Sequence, residues 1–259
     1  MSSVRIGSGR MIGYDQAGGG GATPIVFLHG VGSDKSVWHP QLAYFGRSRR
    51  AIAFDYPGYG DSDPAGEGAS RDDFAEAILS AMHELGVTRA HICGLSLGVV
   101  VAIALYTFDP RACASLILAD GFAVHPDGRA IYERSLAGSR NLPAMAEARV
   151  DLLLAQPAEA EVRREVVNTM SNIDPAAYRT GAEAVWLADQ RGRAGAIRAP
   201  TLVLVGDQDL ITPVDLSSEL VDLIPDSRMQ LIAGAGHLSN LEKPAEFNAL
   251  VERFIEALD

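Results

Sequence analysis

A serine, an aspartate and a histidine are placed along this chain where they could together carry out acyl transfer. Ser96 is the central residue of Gly94-Leu95-Ser96-Leu97-Gly98, and Asp209 and His237 follow it along the chain. A serine hydroxyl becomes a good nucleophile when a base accepts its proton, and the base works best when a carboxylate fixes its tautomer and stabilises its cation. We therefore predict that Ser96, Asp209 and His237 are the nucleophile, the carboxylate and the base of a hydrolase.

The sequence around Ser96 predicts the geometry that an exposed nucleophile needs. A short strand, His91–Cys93, runs into the pentapeptide, and an apolar helix follows it. A strand that turns into a helix within a few residues strains the backbone at the turning residue and leaves its side chain clear of both elements. Gly94 and Gly98 suit this turn because a Cβ at either position would strike a neighbouring strand or helix.

Position distinguishes Asp209 and His237 from their competitors. Asp207 and Asp120 also follow predicted strands, but Asp209 precedes Leu210-Ile211-Thr212-Pro213, which would let its side chain turn toward His237. His237 follows the last predicted strand in a glycine-flanked loop. The other histidines begin a strand, lie within a helix or lie in other loops: His29, His39, His83, His91 and His125.

Acyl transfer also needs hydrogen-bond donors for the oxyanion, and two backbone N–H groups are candidates. Leu97 N–H comes directly after the nucleophile at the start of a helix. Val31 N–H lies in the loop after Phe27-Leu28-His29-Gly30, where we expect His29 to orient the loop and Gly30 to allow close approach. The alternative for this loop is an ordinary turn at the end of a strand. The mechanism requires no cofactor and no metal ion.

Alternating strands and helices predict a mostly parallel α/β sheet. A short N-terminal hairpin precedes unbroken apolar runs of the kind found in strands covered on both faces: Pro24–His29, Ala51–Asp55, Ala90–Cys93, Ala112–Ala119, Pro200–Val205 and Arg228–Ile232. Helical patterns lie between or after these runs, at Arg71–Leu85, Leu97–Thr107, Val214–Leu223 and Ala245–Leu258. We therefore expect one sheet flanked by helices.

One segment, residues 122–195, breaks this alternation. It carries four amphipathic helical patterns and no strand: Ala130–Leu136, Ala144–Leu153, Ala158–Met170 and Ala176–Gln190. We expect a helical cap inserted into a core of residues 1–121 and 196–259, above the carboxyl ends of the strands, where α/β folds bind ligands. A separate helical domain is the alternative.

Composition excludes several classes of partner. The chain has 259 residues and a net charge of −11, whereas nucleic acids and anionic membranes require a basic surface. No run is long enough to span a membrane, and the N-terminus lacks the pattern of a signal peptide. Cys93 and Cys113, the two cysteines, lie in predicted buried strands and suggest no disulfide framework. We expect a cytoplasmic enzyme with a small-molecule substrate; its oligomeric state is left open.

The motifs together resemble those of the α/β-hydrolases along nearly the whole chain: Leu28-His29-Gly30, Asp55 to Ser62, Gly94 to Gly98, Gly206 to Asp209 and Gly236-His237. The order serine, aspartate, histidine is also that of this family. Asp55 to Ser62 holds three carboxylates and could suggest a metal or nucleotide site, but we interpret it as a structural turn.

Within this family, three segments are similar to 3-oxoadipate enol-lactonases: Ala90–Gly98, Ile197–Thr201 and His237–Pro244. The resemblance implies hydrolysis of a small carboxylated lactone, with Arg134, Arg140 or Arg149 of the insertion as the partner of the carboxylate. Val99 departs from the family, which usually has a second glycine there, and we expect this difference to bear on the shape of the substrate more than on the chemistry.

Other functions remain open on the sequence. The same residues would serve a general carboxylesterase or a carbon–carbon hydrolase of ring-cleavage products, whereas a serine nucleophile argues against dehalogenases and epoxide hydrolases. A slow-turnover ligand receptor is a further alternative, because His29–Trp38 resembles the oxyanion loop of the karrikin and strigolactone receptors. Those receptors usually carry a histidine where this chain has Leu95.

Overall fold

The computed structural model describes residues 2–259, and a mostly parallel sheet forms the centre of this part of the chain. Its eight strands have the order β1-β2-β4-β3-β5-β6-β7-β8. They are β1 (Ser2–Arg5), β2 (Met11–Ala17), β3 (Ile25–Leu28), β4 (Ala51–Phe54), β5 (Ala90–Leu95), β6 (Cys113–Ala119), β7 (Thr201–Gly206) and β8 (Ser227–Ile232). The pairs β1–β2 and β2–β4 are antiparallel, and every later pair is parallel. The predicted α/β sheet is confirmed.

Strands β3 to β7 are buried because helices cover both faces of the sheet. In β5, Ile92 packs into one hydrophobic core, whereas Cys93 and Leu95 pack into the other. Successive side chains of a strand point to opposite faces, so a strand between two cores needs apolar residues at every position. The last strand, β8, lies at the edge of the sheet and is exposed at Arg228, Gln230 and Leu231.

Six helices pack against this sheet: α1 (His39–Phe45), α2 (Arg71–Glu84), α3 (Leu97–Phe108), α9 (Val214–Leu223), α10 (Ser239–Glu242) and α11 (Pro244–Glu256). Ser70 and Asp73 form a capping box that starts α2. Helix α3 is buried at every position from Leu97 to Tyr106 because it packs against the middle of the sheet. The sequence patterns missed α1, which follows a short 3-10 helix, Lys35–Trp38.

Five helices lie between β6 and β7: α4 (Gly128–Gly138), α5 (Leu142–Leu153), α6 (Ala160–Ser171), α7 (Pro175–Trp186) and α8 (Arg191–Ala194). The chain leaves the sheet and returns to it at one place, since Val124 and Asp189 form an antiparallel bridge and Gln190 N–H donates to Ala123 O at 2.8 Å. Four of these helices coincide with the four amphipathic patterns. Over residues 2–259, no helix is long and apolar enough to cross a membrane.

Candidate active site

Ser96 occupies the tight turn between β5 and α3. Its φ of 55° and ψ of −112° lie outside the common regions for a residue with a side chain. A Cβ on Gly94 would overlap Gly98 O, and a Cβ on Gly98 would overlap Leu28 O, so both positions require glycine. Ser96 N–H donates to Ala119 O on the neighbouring strand at 3.0 Å, which fixes the turn to the sheet.

Ser96 and His237 line the same cavity, which holds about 620 Å³ of space including its open mouth. Its walls are mostly apolar, and helices α5, α6 and α7 contribute Leu153, Met170 and Trp186 to them. No hydrogen bond joins the Ser96 hydroxyl to the His237 ring in the described part of the chain. Such contacts often tighten only when a substrate is bound.

His237 is held on two sides. Its Nδ1 lies 2.9 Å from Asp209 Oδ2. Its backbone N–H donates to Leu153 O, at the end of α5, at 2.8 Å. Glu242, which the sequence analysis did not identify, supports the loop by accepting hydrogen bonds from Gly236 N–H at 2.9 Å and Ala155 N–H at 2.7 Å. The base loop is therefore bonded to the helical insertion as well as to Asp209.

The carboxylate of Asp209 is buried but well supplied with donors. Its Oδ1 accepts the N–H groups of Ile211 and Thr212, each at 2.8 Å, and the Thr212 hydroxyl donates to Oδ2 at 2.6 Å. Burial by itself would raise the pKa of Asp209, but the charge and hydrogen bonds of His237 and Thr212 lower it to about 2. Thr212 was also missed, although a threonine three residues after an aspartate is a signal for this kind of turn.

The pKa of His237 moves in the direction that a buried ion pair requires. Burial lowers it, but the charge of Asp209 and the hydrogen bond to Asp209 outweigh burial, so the net pKa is raised above its ordinary value of 6.5. Asp209 thus stabilises the imidazolium form. This is the property expected of a base that must hold a proton during the reaction.

The competing carboxylates and histidines have other contacts. Asp207 is exposed and accepts the N–H of Gly234 at 2.8 Å. His91 has partners that imitate a triad, since its Nδ1 lies 2.8 Å from Ser115 Oγ and its Nε2 lies 3.3 Å from Asp259 Oδ1. That group is at the opposite end of β5 from Ser96, however, and Ser115 is fully buried. It offers no space for a substrate.

Val31 and Leu97 both line the candidate site or adjoin it. Val31 borders the cavity, and Leu97 begins α3 directly after Ser96. Within residues 2–259, neither backbone N–H donates a hydrogen bond to the protein. His29 Nδ1 lies 2.8 Å from Gly30 O, and a Cβ on Gly30 would lie 3.4 Å from Ser96 Cβ, so the loop does approach the nucleophile closely.

The acidic segment after β4 is a structural turn. Lys35 Nζ lies 2.7 Å from both Asp55 Oδ2 and Asp61 Oδ2, and Lys35 is itself buried. Burial raises the pKa of Asp55, whereas the charge of Lys35 opposes that shift. Among residues 2–259, no group of three His, Cys, Asp or Glu side chains could hold a metal ion.

The three arginines of the insertion lie in different places. Arg149 lines the Ser96 cavity, and its Nη1 donates to Tyr178 Oη at 2.9 Å. Arg134 lines an adjacent groove that Arg149 also borders, and Arg140 is exposed and borders neither. Glu165 also borders the Ser96 cavity, from α6, so the cavity wall includes one arginine and one carboxylate.

The expectation for Val99 was wrong. Val99 is fully buried and is not among the residues that line the cavity. A Cβ added to Gly121 would lie 2.6 Å from Val99 Cγ2, so Val99 occupies the space that this glycine leaves. Its side chain therefore changes the packing beneath the site and not the surface that a substrate meets.

Comparisons with known proteins agree with this arrangement. The model of the alpha/beta hydrolase family matches residues 25–250. The acetyltransferase component of the acetoin cleaving system of Pseudomonas putida is 29% identical, over 95% of this chain and 67% of that protein. The 3-oxoadipate enol-lactonase 1 of Acinetobacter baylyi is 24% identical, over 92% of this chain and 90% of that protein.

The fold has close structural relatives as well. A thermophilic esterase from Thermogutta terrifontis superimposes with a TM-score of 0.92 and 25% identity, and the match covers 100% of this chain and 99% of the esterase. The predicted family, and the predicted similarity to 3-oxoadipate enol-lactonases, are confirmed. The chain belongs to the α/β-hydrolase family.

Proposed function

We propose that this protein is a serine hydrolase that cleaves an ester or lactone bond through an acyl-enzyme. The observation that carries the proposal is the 2.9 Å contact between His237 and Asp209 at a cavity into which Ser96 opens from a strained turn. His237 removes the hydroxyl proton as Ser96 attacks the carbonyl carbon. The resulting imidazolium then gives the proton to the leaving alcohol, and water hydrolyses the acyl-enzyme by the same steps.

The backbone N–H groups of Val31 and Leu97 stabilise the oxyanion in this mechanism. Both are free of other acceptors in the described residues, and the close approach of Gly30 brings the Val31 loop to Ser96. A donor of this kind typically contributes about 3 kcal/mol in the transition state. The oxyanion site would therefore contribute as much as a member of the triad.

A small lactone or ester with one carboxylate, such as an enol-lactone of the 3-oxoadipate type, is the substrate that we propose. Arg149 supports this choice because, of the three candidate arginines, it is the one that lines the Ser96 cavity. Glu165 in the same cavity would disfavour a second carboxylate near α6. The apolar walls also suit simple esters, so a general carboxylesterase is the second candidate.

Residues 122–195 serve as the cap of this site in our proposal, over a core of residues 1–121 and 196–259. The short stem at Val124 and Asp189 supports this division, as do the cavity walls that α5, α6 and α7 contribute. The nucleophile faces a cavity that the insertion partly encloses. The cap would then select the substrate while the core performs the chemistry.

Two experiments test the proposal. Ser96→Ala should abolish hydrolysis of p-nitrophenyl acetate, and equal rates for the two proteins would refute the nucleophile assignment. Arg149→Gln should lower kcat/KM for a carboxylated lactone roughly 10- to 100-fold, which corresponds to the loss of a charge-assisted hydrogen bond, and should leave neutral esters unaffected. Arg140→Gln is the matched control, and equal effects of both changes would argue against a carboxylate at Arg149.

A further inference from the structure

Asp120 is a buried carboxyl group that the mechanism above does not use. It follows β6 directly, is fully buried, and has a φ of 48°, in the left-handed region that few residues with side chains adopt. Its backbone N–H donates to Leu204 O in β7 at 2.9 Å. No salt bridge to Asp120 is found in the described part of the chain. A reason other than ion pairing must therefore account for the burial of this carboxyl group.

The two oxygens of Asp120 bind the two loops that carry Asp209 and His237. Oδ1 accepts the N–H of Gly206, the last residue of β7, at 2.9 Å. Oδ2 accepts the hydroxyl of Ser239, two residues after His237, at 2.5 Å. Both loops leave the sheet at neighbouring strands, and one side chain spans the space between them.

Apart from the contacts of the His237 ring with Asp209 and Thr212, the other hydrogen bonds between these loops lie before His237. Gln208 N–H donates to Ala235 O at 2.9 Å. His237 N–H is held by the insertion, and after the histidine Asn240 Nδ2 donates to Val37 O at 2.9 Å. The contact between Ser239 and Asp120 is the one that joins this segment to the end of β7, where the Asp209 loop begins. Without it, the segment after the histidine would keep its hydrogen bonds to Val37 and Gln41 but would lose its link to the loop of Asp209.

Electrostatics make the same carboxyl group suitable as a neutral link. Burial and the charge of Asp209 raise the pKa of Asp120 to about 8, although His237 and the hydrogen bonds oppose this shift. This direction of the pKa shift favours the neutral form of the carboxyl group. In that form it joins the two loops without placing a second negative charge beside the pair of Asp209 and His237.

We propose that Asp120 is a positioning residue that holds the Asp209 loop and the His237 loop at a fixed spacing, through Gly206 N–H and the Ser239 hydroxyl. The proposal rests on the function proposed above, because it assigns Asp120 to the support of the same triad. Misplacement of a catalytic group by about 1 Å can cost on the order of 100-fold in rate. A link between two loops is therefore enough to control the rate without any contact with the substrate.

Ser239→Ala is the main test because it removes one hydroxyl and leaves Asp120 in place. We expect kcat for p-nitrophenyl acetate to fall on the order of 10- to 100-fold with little change in KM. The acid limb of the pH profile should move to lower pH, because a looser contact with Asp209 raises the pKa of His237 less. Ser115→Ala is the matched control, since it deletes another fully buried hydroxyl, one that contacts His91 away from the candidate active site. If Ser239→Ala changes neither kcat nor the acid limb, or changes them no more than Ser115→Ala does, the proposal is wrong.

Two variants of Asp120 separate the link from the charge. Asp120→Asn keeps an oxygen for Gly206 N–H and a polar group for Ser239, so it should retain most of the activity that Asp120→Ala loses. Equal losses in both variants would overturn the proposal, because they would show that the hydrogen-bonded shape is insufficient. The downfield NMR resonance of the His237 ring proton gives a readout that does not need turnover, and Ser239→Ala should shift it. Retained activity in Ser96→Ala would refute the proposed function. The shift of the His237 resonance would still test the positioning role of Asp120.

Discussion

Replacing Asp209 by asparagine tests the electrostatic basis of the site most directly. The contacts of Asp209 with His237 and Thr212 lower the pKa of its carboxyl group from 3.8 to about 2 in spite of burial. A pKa difference of that size corresponds to about 2.4 kcal/mol, or roughly 60-fold, in favour of the charged carboxylate. Much of it is the interaction with the imidazolium, which the transition state also contains. Asp209→Asn should therefore lower kcat at least about 30-fold.

The full loss should be larger, because the asparagine amide can also stabilise the wrong tautomer of His237. Loss of both functions typically costs on the order of 10⁴-fold in kcat. The assay is kcat and KM for p-nitrophenyl acetate across pH 5 to 9, with Asp207→Asn as the control for a carboxylate two residues away. The acid limb should also move to lower pH, since His237 loses the charge that raises its pKa. A loss of less than about threefold, or an equal loss in Asp207→Asn, would refute the assignment.

Three further predictions concern pH, charge burial and packing. The wild-type kcat/KM for a stable ester should rise with pH and reach half its maximum above pH 6.5. His237 must be neutral to act as a base, and its pKa is raised. A midpoint below pH 6.5 would contradict the raised pKa. Lys35→Met should lower the free energy of unfolding in urea by about 3 to 5 kcal/mol, because it leaves Asp55 buried without its cation. A decrease below about 1 kcal/mol would argue that the ion pair of Lys35 and Asp55 does not stabilise the fold. Val99→Gly should cost about 2 kcal/mol or more of the free energy of unfolding, because it leaves a gap where Val99 packs on Gly121. The ranking of ester and lactone substrates by kcat/KM should stay unchanged, since Val99 lies away from the cavity. A new ranking would show that Val99 shapes the site.

Residues at the ends of strands were predictable because two simple patterns place them. Unbroken apolar runs locate the parallel strands, and parallel strands bring their carboxyl ends to one edge of the sheet. Ser96, Asp209 and His237 each follow such a run, and the structure brings them to one cavity or its border. Their catalytic roles remain a prediction that the kinetics above will test.

Features that depend on how helices rotate and pack could not be predicted in this way. Amphipathic patterns located the helices of the insertion, but they could not show that Arg149 faces the cavity while Arg140 faces away from it. Val99 was misjudged because the space for its side chain comes from Gly121, which is distant in sequence. The contact between Asp120 and Ser239 spans 119 residues and has no local signal.

The hydrogen bonds between the base loop and the end of α5 have a consequence for protein engineering. Leu153 O holds the backbone of His237, and Ala155 N–H shares Glu242 with Gly236 N–H. The insertion is therefore part of the scaffold that aligns the base, in addition to enclosing the substrate. A chimera that exchanges the whole segment to obtain a new specificity would also disconnect His237, whereas one that keeps Leu153 to Ala155 would change the pocket and preserve the alignment.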